Sequence, residues 1–325
     1  MAALPPTTFA RSLLSLSMRI SVIIPCYNVE RYVERAITSV FAQTHRDLQV
    51  IAVNDGSSDG TLTLLRELAS RFSGKLTVIE QKNQGACAAR NAGLAMAEGS
   101  YLQFLDADDV LLPEKLEHQA ALADREGLPE IIIGSHMLID HRGGILRTEL
   151  QTTASTDPWL DLMAHRCGGT SQNLWSRKAV QGVGGWSEGL GSSQEYDLMF
   201  RMLQHGARVV HDREVLTEIH QRPGGSISQM AVDRNWVRFV ELRARILDHL
   251  RITRPDLDLR PYQQVLFDSI RTLYLHAPDQ AIELYHRLLP KGYVPQRSTA
   301  TGGGYLFLHR LFGFTLANKL RSFLR

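Results

Sequence analysis

The sequence predicts an α/β protein: a doubly wound, mostly parallel sheet with helices on both faces, plus a helical C-terminal extension. Three observations predict it. Short β-branched or apolar runs alternate with helix-spaced stretches four times in about the first hundred residues. The residues of unusual chemistry, Asn28, Asp55, Asn83 and Asp106/Asp108, each follow one of those runs, so they collect along one edge of the sheet, where open α/β sheets bind ligands. After Ser228 the short runs stop, and residues 229–250 and 262–289 read as helices with Arg and His on their outer faces.

In order, Arg19–Pro25 holds Ile20, Val22, Ile23 and Ile24 and reads as a fully buried strand, ended by Tyr27-Asn28. Glu30–Gln43 spaces Val33, Ile37, Val40 and Phe41 as a helix. Leu48–Val53 is the second strand, closed by Asn54-Asp55-Gly56-Ser57-Ser58-Asp59-Gly60; the helix Thr61–Phe72 is capped by Ser58 or Asp59. Leu76–Ile79 is the third strand, Gly85–Ala97 a small-residue helix, and 101–105 a fourth strand that ends on Asp106, Asp108 and Asp109. Beyond it the pattern is mixed. A helix is expected over 113–126, a strand over 130–137, a turn at Arg142-Gly143-Gly144 and a helix over 157–165. A Gly-rich region, Gly168–Gly191, carries Trp175 and Trp186. A helix over Gln194–His205 and short strands over Ala207–Val210 and Val215–Ile219 follow. Gly302–Arg325 is a Gly hinge and an apolar, basic helix.

The bulk numbers are those of an ordinary globular chain: 325 residues, 44% apolar, 22% charged. A net charge of +2 gives no argument for nucleic acid. Cys26, Cys87 and Cys167 form neither a disulfide framework nor a zinc spacing, which fits a reducing, cytoplasmic compartment. No stretch reaches the roughly 18 to 20 apolar residues of a spanning helix. Residues 1–17, with Pro5-Pro6 and a short Leu/Ser run, are too weak for a signal peptide. They read as a disordered or loosely helical extension, or a mis-called start before Met18. The expected division is 1–17, an α/β domain over 18–228, and a helical region over 229–325 with an amphipathic basic tail.

A strand that ends on three carboxylates calls for a counter-ion, and a hard divalent cation prefers oxygen ligands. Asp106 and Asp108 can hold such an ion, which would neutralise a diphosphate leaving group; Asp109 reads as a helix cap. Asp55 precedes the cap residues of its loop and is free to accept from a base N–H or a ribose hydroxyl. Gln81–Asn91 supplies Lys82, Asn83, Gly85 and Arg90. Gly85 opens a helix whose free N–H groups can meet an anion, while Arg90 can reach a phosphate or hold Asp106, and the alternative for Arg90 and Asn91 is pairing within the helix layer. After the Gly-rich loop comes Gln194-Glu195-Tyr196-Asp197. A carboxylate there can act as general base on an acceptor hydroxyl, and spacing leaves open whether Glu195 or Asp197 does so while the other lies on a solvated face. His220 could complete a metal shell and Arg222 could bind phosphate.

Four blocks carry a resemblance: Ser21-Val-Ile-Ile-Pro-Cys-Tyr-Asn28, Val53-Asn-Asp-Gly-Ser-Ser-Asp-Gly-Thr61, Asn83-Gln-Gly-Ala-Cys-Ala-Ala-Arg-Asn-Ala-Gly93 and Phe104-Leu-Asp-Ala-Asp-Asp109. In this order and spacing the chain, over about 19–228, resembles the family 2 glycosyltransferases, which have the nucleotide-diphospho-sugar-binding GT-A fold. The resemblance implies an inverting single displacement on a nucleotide-diphospho-sugar, with a glycan or lipid-linked acceptor in polysaccharide, lipopolysaccharide or related cell-envelope assembly. It implies that Asp55 and the Pro25, Tyr27, Asn28 segment bind the nucleoside and that Asp108, with Asp106, holds Mn²⁺ or Mg²⁺. The family's base is the second member of an acidic pair; here that position is Glu195, and Gln194 replaces the first acid. His220–Ser226 resembles the family's closing loop in a shifted arrangement, which leaves open whether His220 or Arg222 contacts the diphosphate.

Rival readings fall on particular residues. A nucleotidyltransferase would carry a Gly-rich basic loop, and a dinucleotide dehydrogenase a G-x-G-x-x-G, where this chain has Cys26-Tyr-Asn-Val-Glu30. A catalytically inactive sugar-nucleotide-binding scaffold would keep the donor residues without transfer. The tail Tyr305–Arg325 reads either as an interfacial membrane helix or as a helix docked on the catalytic domain or on a second copy.

Overall fold

The computed structural model describes residues 18–151, 157–222 and 232–323. The extension 1–17, Gly224-Gly225-Ser226, the expected boundary at 228, and Leu324 and Arg325 lie outside them. The chain divides into two compact units.

The first unit comprises Met1–Thr156, Cys167–Leu190 and Gln194–Gly224. Its elements open with β1 (Ile20–Cys26), α1 (Val33–Phe41), β2 (Leu48–Asp55), α2 (Thr61–Arg71), β3 (Leu76–Gln81), α3 (Ala86–Met96) and β4 (Tyr101–Phe104). After these come β5 (Val110–Leu111), α4 (Lys115–Arg125), β6 (Ile131–Ile139) and β7 (Ile145–Glu149). The helix α5 (Pro158–Met163) belongs to the second unit. β8 (Leu174–Ser176), α6 (Arg177–Gly182), α7 (Gln194–Gln204) and β9 (Val209–His220) complete the first.

One nine-stranded sheet runs β3-β2-β1-β4-β8-β6-β9-β5, with β7 paired to β6. The first four strands are mutually parallel, as the strand–helix alternation requires. β1 is central because its β-branched run has no polar face to offer water: Ile20, Val22, Ile23 and Ile24 are all fully buried. α1 covers it with Val33, Ala36, Ile37 and Val40. Beyond β4 the sheet turns mixed, since β8 is antiparallel to β4 and β6, while β6 and β9 are parallel.

Several expectations are corrected. The two short strands after α7 are a single strand, β9, kept continuous against β6 by register shifts around Ser135 that absorb the polar residues between its apolar ends. Asp109 is not a helix cap: β5 follows it directly, and α4 begins only at Lys115. β5, β7 and β8 are two to five residues long; such runs are too short to show a period.

In the second unit α8 (Val232–Thr253) is followed by α9 (Arg260–Tyr274) and α10 (Pro278–Leu288) in place of the single helix expected over 262–289. Pro278 explains the break: it lacks an N–H and forces Ala277 out of the helical region, to φ −142° and ψ 77°. Phe267 is fully buried at the centre of this unit, with the rings of Tyr285, Tyr293, Tyr305 and Phe314 around it. The last helix, α11 (Gly303–Phe323), is interrupted at Gly313, where φ is 70° and ψ −177°.

Gly56, at the tip of β2, has φ +69°, and a Cβ there would sit 2.7 Å from the Asn83 backbone nitrogen. Gly56→Ala is therefore expected to cost about 1–3 kcal/mol, from an unfavourable dihedral and a collision with backbone that cannot rotate away. Denaturant unfolding measures it; an unchanged midpoint would refute the argument.

Candidate active site

The strand order places β2 and β3 on one side of β1 and β4 on the other. The loops leaving the C-terminal ends of β1 and β4 therefore part in opposite directions and leave a crevice at the sheet edge.

One wall is the β1 loop sewn to the β2 loop. Asn28 takes a left-handed conformation (φ 51°), which Asn tolerates better than most residues. Its Oδ1 accepts from the Ser58 N–H at 2.8 Å, and its own N–H donates to Ser57 Oγ at 3.1 Å. Glu30 Oε2 accepts from the Gly60 N–H at 2.6 Å. Pro25 is held opposite Val53 in the ladder, and Tyr27 is left 48% exposed at the rim.

Asp55 is buried, and its carboxylate holds the next loop: it accepts from Gln81 Nε2 at 2.7 Å, from the Gln84 N–H at 2.9 Å and from the Gly85 N–H at 2.9 Å. That fixes the start of α3 and leaves Lys82 and Asn83 exposed. Asp59, not Ser58, accepts from the Thr61 N–H at the start of α2.

The other wall is the acidic tip after β4. Arg90, buried on α3, donates through Nη2 to Asp106 Oδ1 at 2.8 Å and through Nη1 to Gln194 Oε1 at 2.8 Å, with its guanidinium 4.5 Å from the centre of the Trp186 ring. Arg222 pairs with Asp108 Oδ2 and lies 4.7 Å over the Tyr32 ring, while Arg35 donates to the Asp108 carbonyl at 2.7 Å. No side chain among the described residues donates to the second oxygen of Asp106 or of Asp108. Burial, then the neighbouring Asp106 charge, raises the Asp108 carboxyl above its ordinary range against the pull of Arg222. Asp109 is fully enclosed and raised further by burial and by both neighbours; it accepts from Ser171 Oγ at 2.6 Å and from the His220 N–H at 3.0 Å. The His220 ring turns to Glu218, with Nε2 2.9 Å from Oε2.

Below this tip, buried Lys115 donates to Gln103 Oε1, and Gln103 Nε2 donates to the Ser171 carbonyl at 2.7 Å. Burial pushes the Lys115 ammonium down to about 7.

Among the described residues no three His, Cys, Asp or Glu side chains converge as metal ligands. A magnesium-like ion takes one or two carboxylates together with substrate phosphates. The two adjacent carboxylates, each with an uncommitted oxygen and with one raised by the other's charge, fit that donor set; His220 is directed elsewhere.

Glu195 begins α7. Its carboxyl is half-buried and raised above the ordinary range, chiefly by burial, with Arg90 pulling it back and Asp106 pushing it up. No side chain among the described residues donates to it. Asp197 is buried and committed, accepting from Ser187 Oγ at 2.6 Å and from Arg201 Nε at 2.9 Å. Asp197 is therefore off the solvated face, held by Ser187 of the Gly-rich loop, while Glu195 stays half-buried. Asn91 secures that loop, accepting from the Trp186 N–H at 2.8 Å and donating to the Trp186 carbonyl and to Glu188.

Ser171, Tyr32 and Arg35 join the site without a motif to mark them. Only Arg35 had a signal: it falls outside the Val33, Ile37, Val40 stripe of its helix.

Residues 21–168 match the model of Glycosyl transferase family 2. An uncharacterized glycosyltransferase of Rickettsia conorii is 32% identical over 194 residues, 57% of this chain and 31% of that one. Another, of Rickettsia prowazekii, is 30% identical over 206 residues, 61% of this chain and 62% of that one. The chain thus spans about a third of the length of the first curated relatives it matches. Among solved structures, TarS 1–349 of S. aureus in complex with UDP-GlcNAc superposes with a TM-score of 0.69 at 19% identity, over 94% of this chain and 91% of that one. The mannosyltransferase PcManGT of Pyrobaculum calidifontis, in complex with GDP-Man and Mn²⁺, gives 0.51 at 18% identity, over 94% and 87%. These two show the fold, which is that of the GT-A glycosyltransferases, and it is the segment 21–168, which carries the strand-tip motifs, that matches glycosyltransferase family 2.

Proposed function

We propose that the protein is a metal-dependent inverting glycosyltransferase that moves a sugar from a nucleotide-diphosphate donor to an acceptor hydroxyl in glycan assembly. The observation that carries this is the Arg90 bridge. Arg90, 16 positions from Asp106 and 104 from Gln194, joins the acidic strand tip to the start of α7 and so sets Glu195 beside Asp106 in one crevice.

The nucleoside lies against the exposed Tyr27 ring and the Pro25–Asn28 segment, on a floor that Asp55 shapes by holding Lys82, Asn83 and Gly85. Asp106 and Asp108 would hold Mn²⁺ or Mg²⁺ through their uncommitted oxygens. The ion, when bound, offsets the charge that develops on the departing diphosphate. Arg222, now paired with Asp108, is in reach to shift its guanidinium to the diphosphate as the donor enters. Glu195 takes the proton of the acceptor hydroxyl as that oxygen attacks the anomeric carbon from the face opposite the leaving group. A carboxyl raised toward neutrality is a stronger base than an ordinary one, and burial supplies that. Both complexed solved structures named above carry nucleotide-sugar donors, and one carries Mn²⁺, which supports this reading.

A donor screen tests it. UDP-, GDP- and dTDP-sugars are incubated with the protein, with and without Mn²⁺, and release of the nucleoside diphosphate is measured. Turnover of at least one donor, lost with chelator and restored by Mn²⁺, is expected. Saturable donor binding with no turnover under any condition would favour the inactive scaffold instead.

A further inference from the structure

The second unit carries a surface that sugar transfer does not use. α11 has two faces. Its inner face is fastened within the unit: Phe314 stacks on Tyr285 with ring centres 4.2 Å apart, and Asn318 Nδ2 donates to the Tyr305 hydroxyl at 2.9 Å, across the break at Gly313. Its outer face exposes Phe307 (64%), Leu311 (57%), Phe312 (47%), Leu316 (50%) and Leu320 (39%). A soluble monomer rarely leaves so many large apolar side chains together on one element.

Charge follows the same stripe. Phe307-x-x-Arg310-Leu311 and Leu316-x-x-Lys319-Leu320 are one arrangement written twice, nine positions apart, once on each side of Gly313. In a helix the i and i+4 apolar residues share a face, and the i+3 cation sits on its flank. Arg310 and Lys319 are both exposed. From Gly303 to Arg325 there are Arg310, Lys319, Arg321 and Arg325 and no Asp or Glu. No helix among the described residues is long and apolar enough to cross a membrane, so an apolar face of this kind would lie along a surface and not through it.

We propose that α11 binds in the plane of an anionic lipid surface, with Phe307, Leu311, Phe312, Leu316 and Leu320 at the acyl boundary and Arg310 and Lys319 at the headgroups. A second copy of the chain would also cover apolar residues, but two identical helices that carry cations and no acid of their own offer each other no counter-charge, whereas an anionic bilayer answers both features at once. The bend at Gly313 lets the two halves meet the surface separately while their inner faces stay docked.

The test is flotation of the full chain with vesicles of neutral lipid and with vesicles containing about a third of an anionic lipid, with binding independent of any transfer assay. Wild-type protein is expected to bind only the anionic vesicles. Phe307→Ser with Leu316→Ser is expected to weaken binding on the order of 100-fold, from the lost apolar contact. Arg310→Glu with Lys319→Glu should weaken it at least about 25-fold, near fivefold for each cation removed. These residues are exposed, so circular dichroism should match wild type in both variants. Equal binding of wild type to the two vesicle types, or equal binding of the Phe307/Leu316 variant and wild type, overturns the proposal. A wild-type dimer that this variant disperses, with no vesicle binding by either protein, overturns it in favour of a second copy.

Discussion

Glu195→Gln should reduce sugar transfer by about 10²–10⁴-fold, the range expected when a positioned general base is removed, while donor affinity stays near wild type. The substitution keeps shape and removes only the charge and the capacity to accept a proton, and among the described residues no ion pair within 4 Å depends on it. The pH profile makes the result specific. Burial raises the folded carboxyl above its ordinary range, so wild-type kcat/KM should climb as pH rises through that raised value and the carboxylate forms. The variant should lose this limb. Wild-type turnover in Glu195→Gln with an unchanged profile would remove Glu195 as base; Asp197, committed to Ser187 and Arg201, would not be the natural replacement.

Arg90→Ala is expected to cost both stability and activity. The guanidinium is buried with one hydrogen bond to Asp106 and one to Gln194, and it stacks on Trp186. Removing one partner of a fully buried pair costs roughly 3–5 kcal/mol. Here Asp106 keeps 39% of its side chain exposed and can rehydrate, so about 2 kcal/mol is expected. The kinetic signature separates this from a general loss of folding. Arg90 holds the Glu195 carboxyl down, so its removal should move the rising pH limb to higher pH. Arg90→Lys should recover part of the stability but little of the rate, since an ammonium cannot span two partners as the planar fork does. A folded Arg90→Ala protein with wild-type rate and pH limb would show that the bridge only packs the helix layer.

Much of the first unit was legible in the chain. Residues buried on both faces of a parallel sheet must be apolar, and the residues at strand tips must leave that pattern, so β1 to β4 and the edge carrying Asn28, Asp55 and Asp106 could be read directly. The acidic tip was legible as a cluster in need of cations; which cations was not. Arg90 and Arg222 reach it from 16 and 114 positions away, distances at which no periodicity operates.

By itself, then, the sequence determined the parallel half of the sheet, the order of the strand-tip motifs and the carboxylate at 195, because these depend on local alternation and on residue type. Only the tertiary structure decided that Asp109 is a buried acceptor for Ser171 and His220, that the Asp55 carboxylate holds the loop before α3, that the His220 ring faces Glu218, and that α11 turns its apolar stripe outward. The physical reason is the same in each case. A polar or apolar side chain has a fixed chemistry but several available partners, and the partner it takes is set by what the packing of distant elements brings within about 3 Å of it.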